Sequence, residues 1–127
     1  MTATASRERA AIAREHLAVS DERLRSCPEG PSGEATVAAA NAISASIAAA
    51  DAICGSELGE RSSSGDHREA AALLARVRGG ADLARRLRRL LAQKTQAQYG
   101  GYVTASVARD VNASARRIVD AIRVPVG

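Results

Sequence analysis

Small and apolar residues recur along this chain at helical spacings, and no stretch alternates in the manner of a strand. From Ser6 to Cys27, positions Ala10, Ala13, Leu17, Ser20, Leu24 and Cys27 fall three and four apart, predicting an amphipathic helix with a charged outer face. Ser6 is its expected N-cap, with Met1 to Ala5 frayed. The helix must stop near Cys27, because Pro28 drives the preceding residue out of helical geometry. The short PEGPSG connector then predicts that the next helix is an antiparallel neighbour.

That second helix, Glu34 to Leu58, differs from the first. Ten of the eighteen residues from Ala35 to Ala52 are alanine, and the larger apolar residues Val37, Ile43, Ile47, Ile53, Cys54 and Leu58 spread over more than one face. A helix apolar nearly all round belongs at the centre of a bundle, where small side chains let neighbours approach closely. After a Gly/Ser loop, Asp66 and Glu69 resemble a capping box opening a third helix with Ala70, Leu73, Leu74 and Val77 inward. Gly79 and Gly80 end it. A fourth helix is expected from Ala81 to Tyr99, with Leu83, Leu87, Leu90, Leu91 and Lys94 on its inner side. A fifth starts at the cap residue Thr104 and carries Val107, Val111, Ala115, Ile118 and Ile122. The expected fold is all-α: one domain of 127 residues with its core at about 6–123, an antiparallel bundle of four helices, or five if the broken third segment counts as two.

Composition narrows this further. The chain has no Phe, no Trp and only two Tyr, so its core must be filled by Leu, Ile, Val and Ala, which suits close helix packing. Its +4 charge comes from arginine, Lys94 being the only lysine. Between positions 76 and 94, seven basic residues (Arg76, Arg78, Arg85, Arg86, Arg88, Arg89, Lys94) face one acid, Asp82, which makes a basic helix face suited to phosphate. A solvated, ion-paired face explains the same residues. Cys27 at the hairpin turn and Cys54 about 30 Å along the second helix could not bond within that hairpin. With no signal-like start, and with Asn41, Ser44, Ser46 and Asp51 in the alanine helix, neither export nor a membrane span is expected. A reduced cytoplasmic protein is the default.

Three pieces taken together resemble the HEPN superfamily of helical domains, and in particular its small stand-alone actinobacterial members. They are the Ala-rich helix with Asp51 late in it, the Gly/Ser loop ending at Asp66 and His67, and Lys94-x-x-Ala97-x-Tyr99, which is similar to an R-x-x-A-[DE]-Y ending. The likeness covers about residues 6–123. It implies a homodimer that binds a nucleotide, RNA or a partner such as a nucleotidyltransferase, through Asp51, His67, Lys94 and Tyr99. The family's ribonuclease branch, of toxin type, uses R-x(4–6)-H in a late core helix. Here Arg61-x5-His67 lies in the loop before the third helix, and the late segment has no His. A non-catalytic module is therefore the expected function, with the Arg61 and His67 ribonuclease as one alternative and a purely structural bundle as another.

Each candidate has a plain structural meaning beside the functional one. Asp51 in an apolar helix needs a partner, and His67, Arg61 and Lys94 are the expected ones. His67 can cap its own helix, and Tyr99 and Tyr102 can close the core or an interface. No metal is expected, since the two His lie on different elements without HExxH or ExxH spacing, and no cofactor motif occurs.

Overall fold

The computed structural model describes residues 1–61, 67–99 and 101–123, the side chains of 95–99 excepted. Five helices follow one another: α1 Ala3–Arg25, α2 Gly33–Leu58, α3 His67–Arg76, α4 Ala81–Tyr99 and α5 Ala105–Asp120. They pack with antiparallel contacts, and no strand occurs among the described residues. The expected capping box at Asp66 lies outside the described residues, as does the side chain of Tyr99.

The first helix begins earlier than the sequence suggests. Thr2 rather than Ser6 is the N-cap, its hydroxyl accepting from the Ala5 amide at 3.0 Å, and α1 stops at Arg25, two residues short of Cys27. Ser6 is instead buried against Gly55 of α2, where an added Cβ would collide with the Ser6 hydroxyl and the Met1 thioether. The start of α1 is thus held by packing that the local pattern does not encode. Four contacts fix the direction of the hairpin: Met1 to Gly59, Arg9 to Asp51, His16 to Asn41 and Ser20 to Ala38. Partners on α2 retreat as those on α1 advance, so the two helices run antiparallel.

α2 touches all four other helices, as its apolar circumference predicts. Fourteen of its 26 residues are buried, nine of the fourteen being alanine, and the hydroxyl of Ser46 is satisfied by the Ile43 carbonyl at 2.6 Å. Val37 is an exception, 40% exposed. By length and mean hydropathy, α2 is long and apolar enough to cross a membrane, so its polar residues do not exclude a span as the sequence reading supposed. What distinguishes it is that 67% of its most apolar stretch lies buried against the other helices.

The remaining helices line up around α2 in the order α1, α5, α4, α3. The inner faces of α4 and α5 follow the expected spacing at Leu87, Leu90, Val111, Ala115 and Ile118, but Val107 turns outward and Ala108 takes its place. The α3–α4 turn depends on two glycines. Gly79 has φ +75°, and a Cβ on Gly80 would run into the Leu74 carbonyl oxygen. Tyr102 is 69% exposed and does not close the core.

At one end of the bundle the α1–α2 and α4–α5 connections are tied together. The Ser32 amide donates to the Val103 carbonyl, the Ala105 amide to the Gly30 carbonyl, and the Val103 amide to the Thr36 hydroxyl. Along the α1–α5 seam, Asn112 donates to Ser20 Oγ and Asp21 Oδ1, both at 2.9 Å, while Arg116 grips both oxygens of Asp21. Burial pushes the Asp21 carboxyl up, but the hydrogen bonds from Arg116 and Asn112 outweigh it and hold it below the ordinary value.

Candidate functional site

One gap remains in the ring around α2: α1 and α3 do not touch. Asp51, late in α2, lies near this gap with its side chain 14% exposed. From the α1 wall, Arg9 reaches Asp51 Oδ2 with an Nη at 3.3 Å. The chain after α2 brings Arg61 close, and α3 opens with His67 on the far side. α3 ends at Arg76, which pairs with Glu60 at 3.3 Å. His67 therefore lies by Asp51 and Arg76 by the end of α2, so α3 runs alongside the last turns of α2.

Electrostatics ties these residues into one group. Burial raises the Asp51 carboxyl above its ordinary value. The charges of Arg9 and Arg61, the Arg9 hydrogen bond and the charge of His67 pull it back without cancelling that rise. Two buried polar atoms at this end, Arg9 Nε and Ser6 Oγ, have no hydrogen-bond partner. An unused buried donor is costly unless an acceptor reaches it. Next to the group, a groove of about 550 Å³ opens between the start of α1 and α3, and its lining includes two acids, Glu60 and Glu69, beside Arg61 and Leu73. Arg61 belongs to both the groove and the surroundings of Asp51.

The sequence expectation is met in part by this arrangement. Asp51 is paired inside the bundle, but its bonded partner is Arg9, which the sequence reading did not single out. Spacing along the chain gives no sign of this partner, 42 residues away; only the antiparallel register of α1 on α2 does. Arg61 and His67 act on Asp51 through their charges alone. Lys94, half-buried on α4, is not among the charges that shift Asp51, and α4 does not touch α1. No group of three or more His, Cys, Asp or Glu residues suited to a metal occurs among the described residues.

Both cysteines are free. Cys54 is buried, and burial, with the nearby Asp51 charge, pushes its thiol up to about 11, which leaves it inert as a nucleophile near neutral pH. On the other side of the bundle, Arg85 and Arg86 share Asp82, at 3.6 and 3.0 Å, while Arg88 and Arg89 extend into solvent. The four arginines expected to form a basic face thus stand on the outer side of α4. No family model matches the chain, and neither a curated protein nor a solved structure matches it.

Proposed function

We propose that this chain is a non-catalytic helical module of HEPN type that binds a phosphate-bearing ligand, a nucleotide or RNA, in the cleft between α1 and α3, and acts as a homodimer or beside a nucleotidyltransferase-type partner. The observation that carries this reading is the convergence of Arg9, Arg61 and His67 on a single buried carboxylate at an open seam of the bundle. Three basic groups surround Asp51, Glu60 in the adjoining groove is held by Arg76 while Glu69 also lines it, and the unused Arg9 Nε is a donor already desolvated for an anion. Asp51 orients Arg9, and Arg61 and His67 meet the ligand. Lys94, expected at the same site from the resemblance, is not among the charges that shift Asp51, and the side chain of Tyr99 lies outside the described residues.

Titration of the protein with a fluorescent nucleotide and with a labelled mixed-sequence RNA, without metal, tests the reading. Binding that weakens about tenfold in Arg61→Ala and His67→Ala, with the RNA intact, is the expected result; binding indifferent to both variants overturns it. The same convergence of Arg61 and His67 favours a second reading, a metal-independent ribonuclease in which His67 exchanges the proton and Arg61 holds the phosphate. RNA cleavage abolished by both substitutions would establish that alternative.

A further inference from the structure

Away from the cleft, the outer side of α4 is a surface whose composition specifies a partner. We infer that this face docks on the phosphate backbone of duplex nucleic acid, independently of what the α1–α3 cleft binds. Arg85, Arg88 and Arg89 are exposed there, with Arg86 half-buried beside them. Arg78 in the α3–α4 turn and Arg117 on α5, whose charge reaches Asp82, extend the positive strip across two helices. Asp82 is the only acid on α4, and it is held by Arg85 and Arg86. Among the described residues, Arg88 and Arg89 have no ion-pair partner.

What the face lacks selects among anionic partners. Among the described side chains, the large apolar ones that are exposed are Ile12, Val37, Tyr102 and Val107, and none belongs to the arginine-bearing stretch of α4 from 82 to 94. A membrane-bound helix needs apolar side chains to sink between lipids, and a stable protein interface needs an apolar centre. Single-stranded nucleic acid is held largely by aromatic stacking, which this face cannot supply. A duplex backbone asks only for cations at a regular spacing. Arg85 and Arg89 stand one helical turn apart, about 6 Å, which puts their guanidinium groups within reach of neighbouring phosphates on a strand. Guanidinium also pairs with phosphate through two parallel N–H bonds, so arginine in place of lysine suits this target.

The experiment is fluorescence anisotropy of a labelled DNA duplex and an RNA duplex of the same sequence, between about 50 and 200 mM salt. Each phosphate contact contributes about 0.9 to the slope of log affinity against log salt, so the Arg88→Ala/Arg89→Ala variant should lower the slope by about 2 and weaken binding at least about tenfold. Both substitutions are at exposed positions and leave the fold unchanged, which circular dichroism verifies. Arg23→Ala, at an exposed position of α1, which does not touch α4, should bind duplex as the wild type does, and the double variant should still bind the fluorescent nucleotide, which separates failure here from failure of the cleft reading. Equal binding of DNA and RNA identifies the backbone as the target, and a preference for one identifies its groove geometry as part of it. No binding at the lowest salt, binding untouched by the double variant, or tighter binding to anionic vesicles or to polyglutamate than to duplex overturns the proposal.

Discussion

Removing the Asp51 carboxylate is the most direct test of how the cleft is built. In Asp51→Ala, Arg9 loses its acceptor while its Nε is already buried without one, and the positive groups that converge on Asp51 face each other unscreened. Breaking a fully buried ion pair costs about 3 to 5 kcal/mol, and an exposed one costs about 0 to 1. With side-chain exposures of 27% and 14%, the Arg9–Asp51 pair lies between these limits. The raised carboxyl means that Asp51 is itself held at some cost, which its removal recovers in part. The net loss is about 2 kcal/mol, or about 7 °C in Tm for a chain of this length at about 2.1 cal/mol/K of unfolding entropy per residue. Urea unfolding of wild type, Asp51→Leu, Arg9→Met and the double variant Arg9→Met/Asp51→Leu closes the cycle, with Asp51→Ala measured beside it. The double variant should recover most of the stability lost by Asp51→Ala, because an apolar pair removes both desolvated charges. If Asp51→Ala costs less than about 0.5 kcal/mol and the double variant is additive, the pair contributes nothing and Asp51 is a water-facing residue.

The two carboxylates in seams should respond to acid in opposite directions. Asp21, held below its ordinary value, contributes stability that is present above the unfolded pKa near 3.8 and is lost as pH falls through its lower folded pKa; Asp21→Asn should remove that loss from a pH series of Tm values. Asp51, held above it, lowers stability as pH rises from 3.8 through its folded pKa, so Asp51→Asn should flatten the curve there. Asn112→Ala strips a donor from both Ser20 and Asp21 and should cost about 1 to 3 kcal/mol by urea unfolding. Under native conditions a thiol reagent should label Cys27 quickly and Cys54 only at the rate of unfolding; two equal fast phases would place Cys54 at the surface. Light scattering should give twice the 13.1 kDa chain mass, and a monomer across the accessible concentration range would remove the dimer from the proposed function.

Periodicity carried most of the fold. α2 was legible as the centre because alanine without interruption allows only a buried helix, and the inner stripes of α4 and α5 followed from spacing. Local rules failed where distant packing decided the outcome. Ser6 looks like a cap but is pressed against Gly55, and Val107 fits the stripe of α5 yet faces outward because Ala105 and Ala108 bring the helix closer to its neighbours. The site was legible as a list of unusual residues and not as a set of partners. Asp51 stands out as an acid in an apolar helix, but Arg9 is one of many arginines, and its choice depends on helix register. Lys94 was grouped with Asp51 and His67 by the resemblance alone, and its charge is not among those that shift Asp51.

The tie between the α1–α2 and α4–α5 connections gives the bundle a clamped end and a looser one. Where the backbones of Gly30 and Ser32 bond those of Ala105 and Val103, and the Val103 amide reaches the Thr36 hydroxyl, the starts of α2 and α5 are joined. At the opposite end α3, with Ala70, Ala71 and Leu74 as its buried residues, is held by α2 and α4 alone. Amide exchange should therefore be graded along the bundle, slowest beside the clamp and fastest in α3, with α3 opening as a unit before the rest unfolds. Opening of α3, the shortest helix, should leave the other four packed on one another, so that the first step of unfolding is a local one.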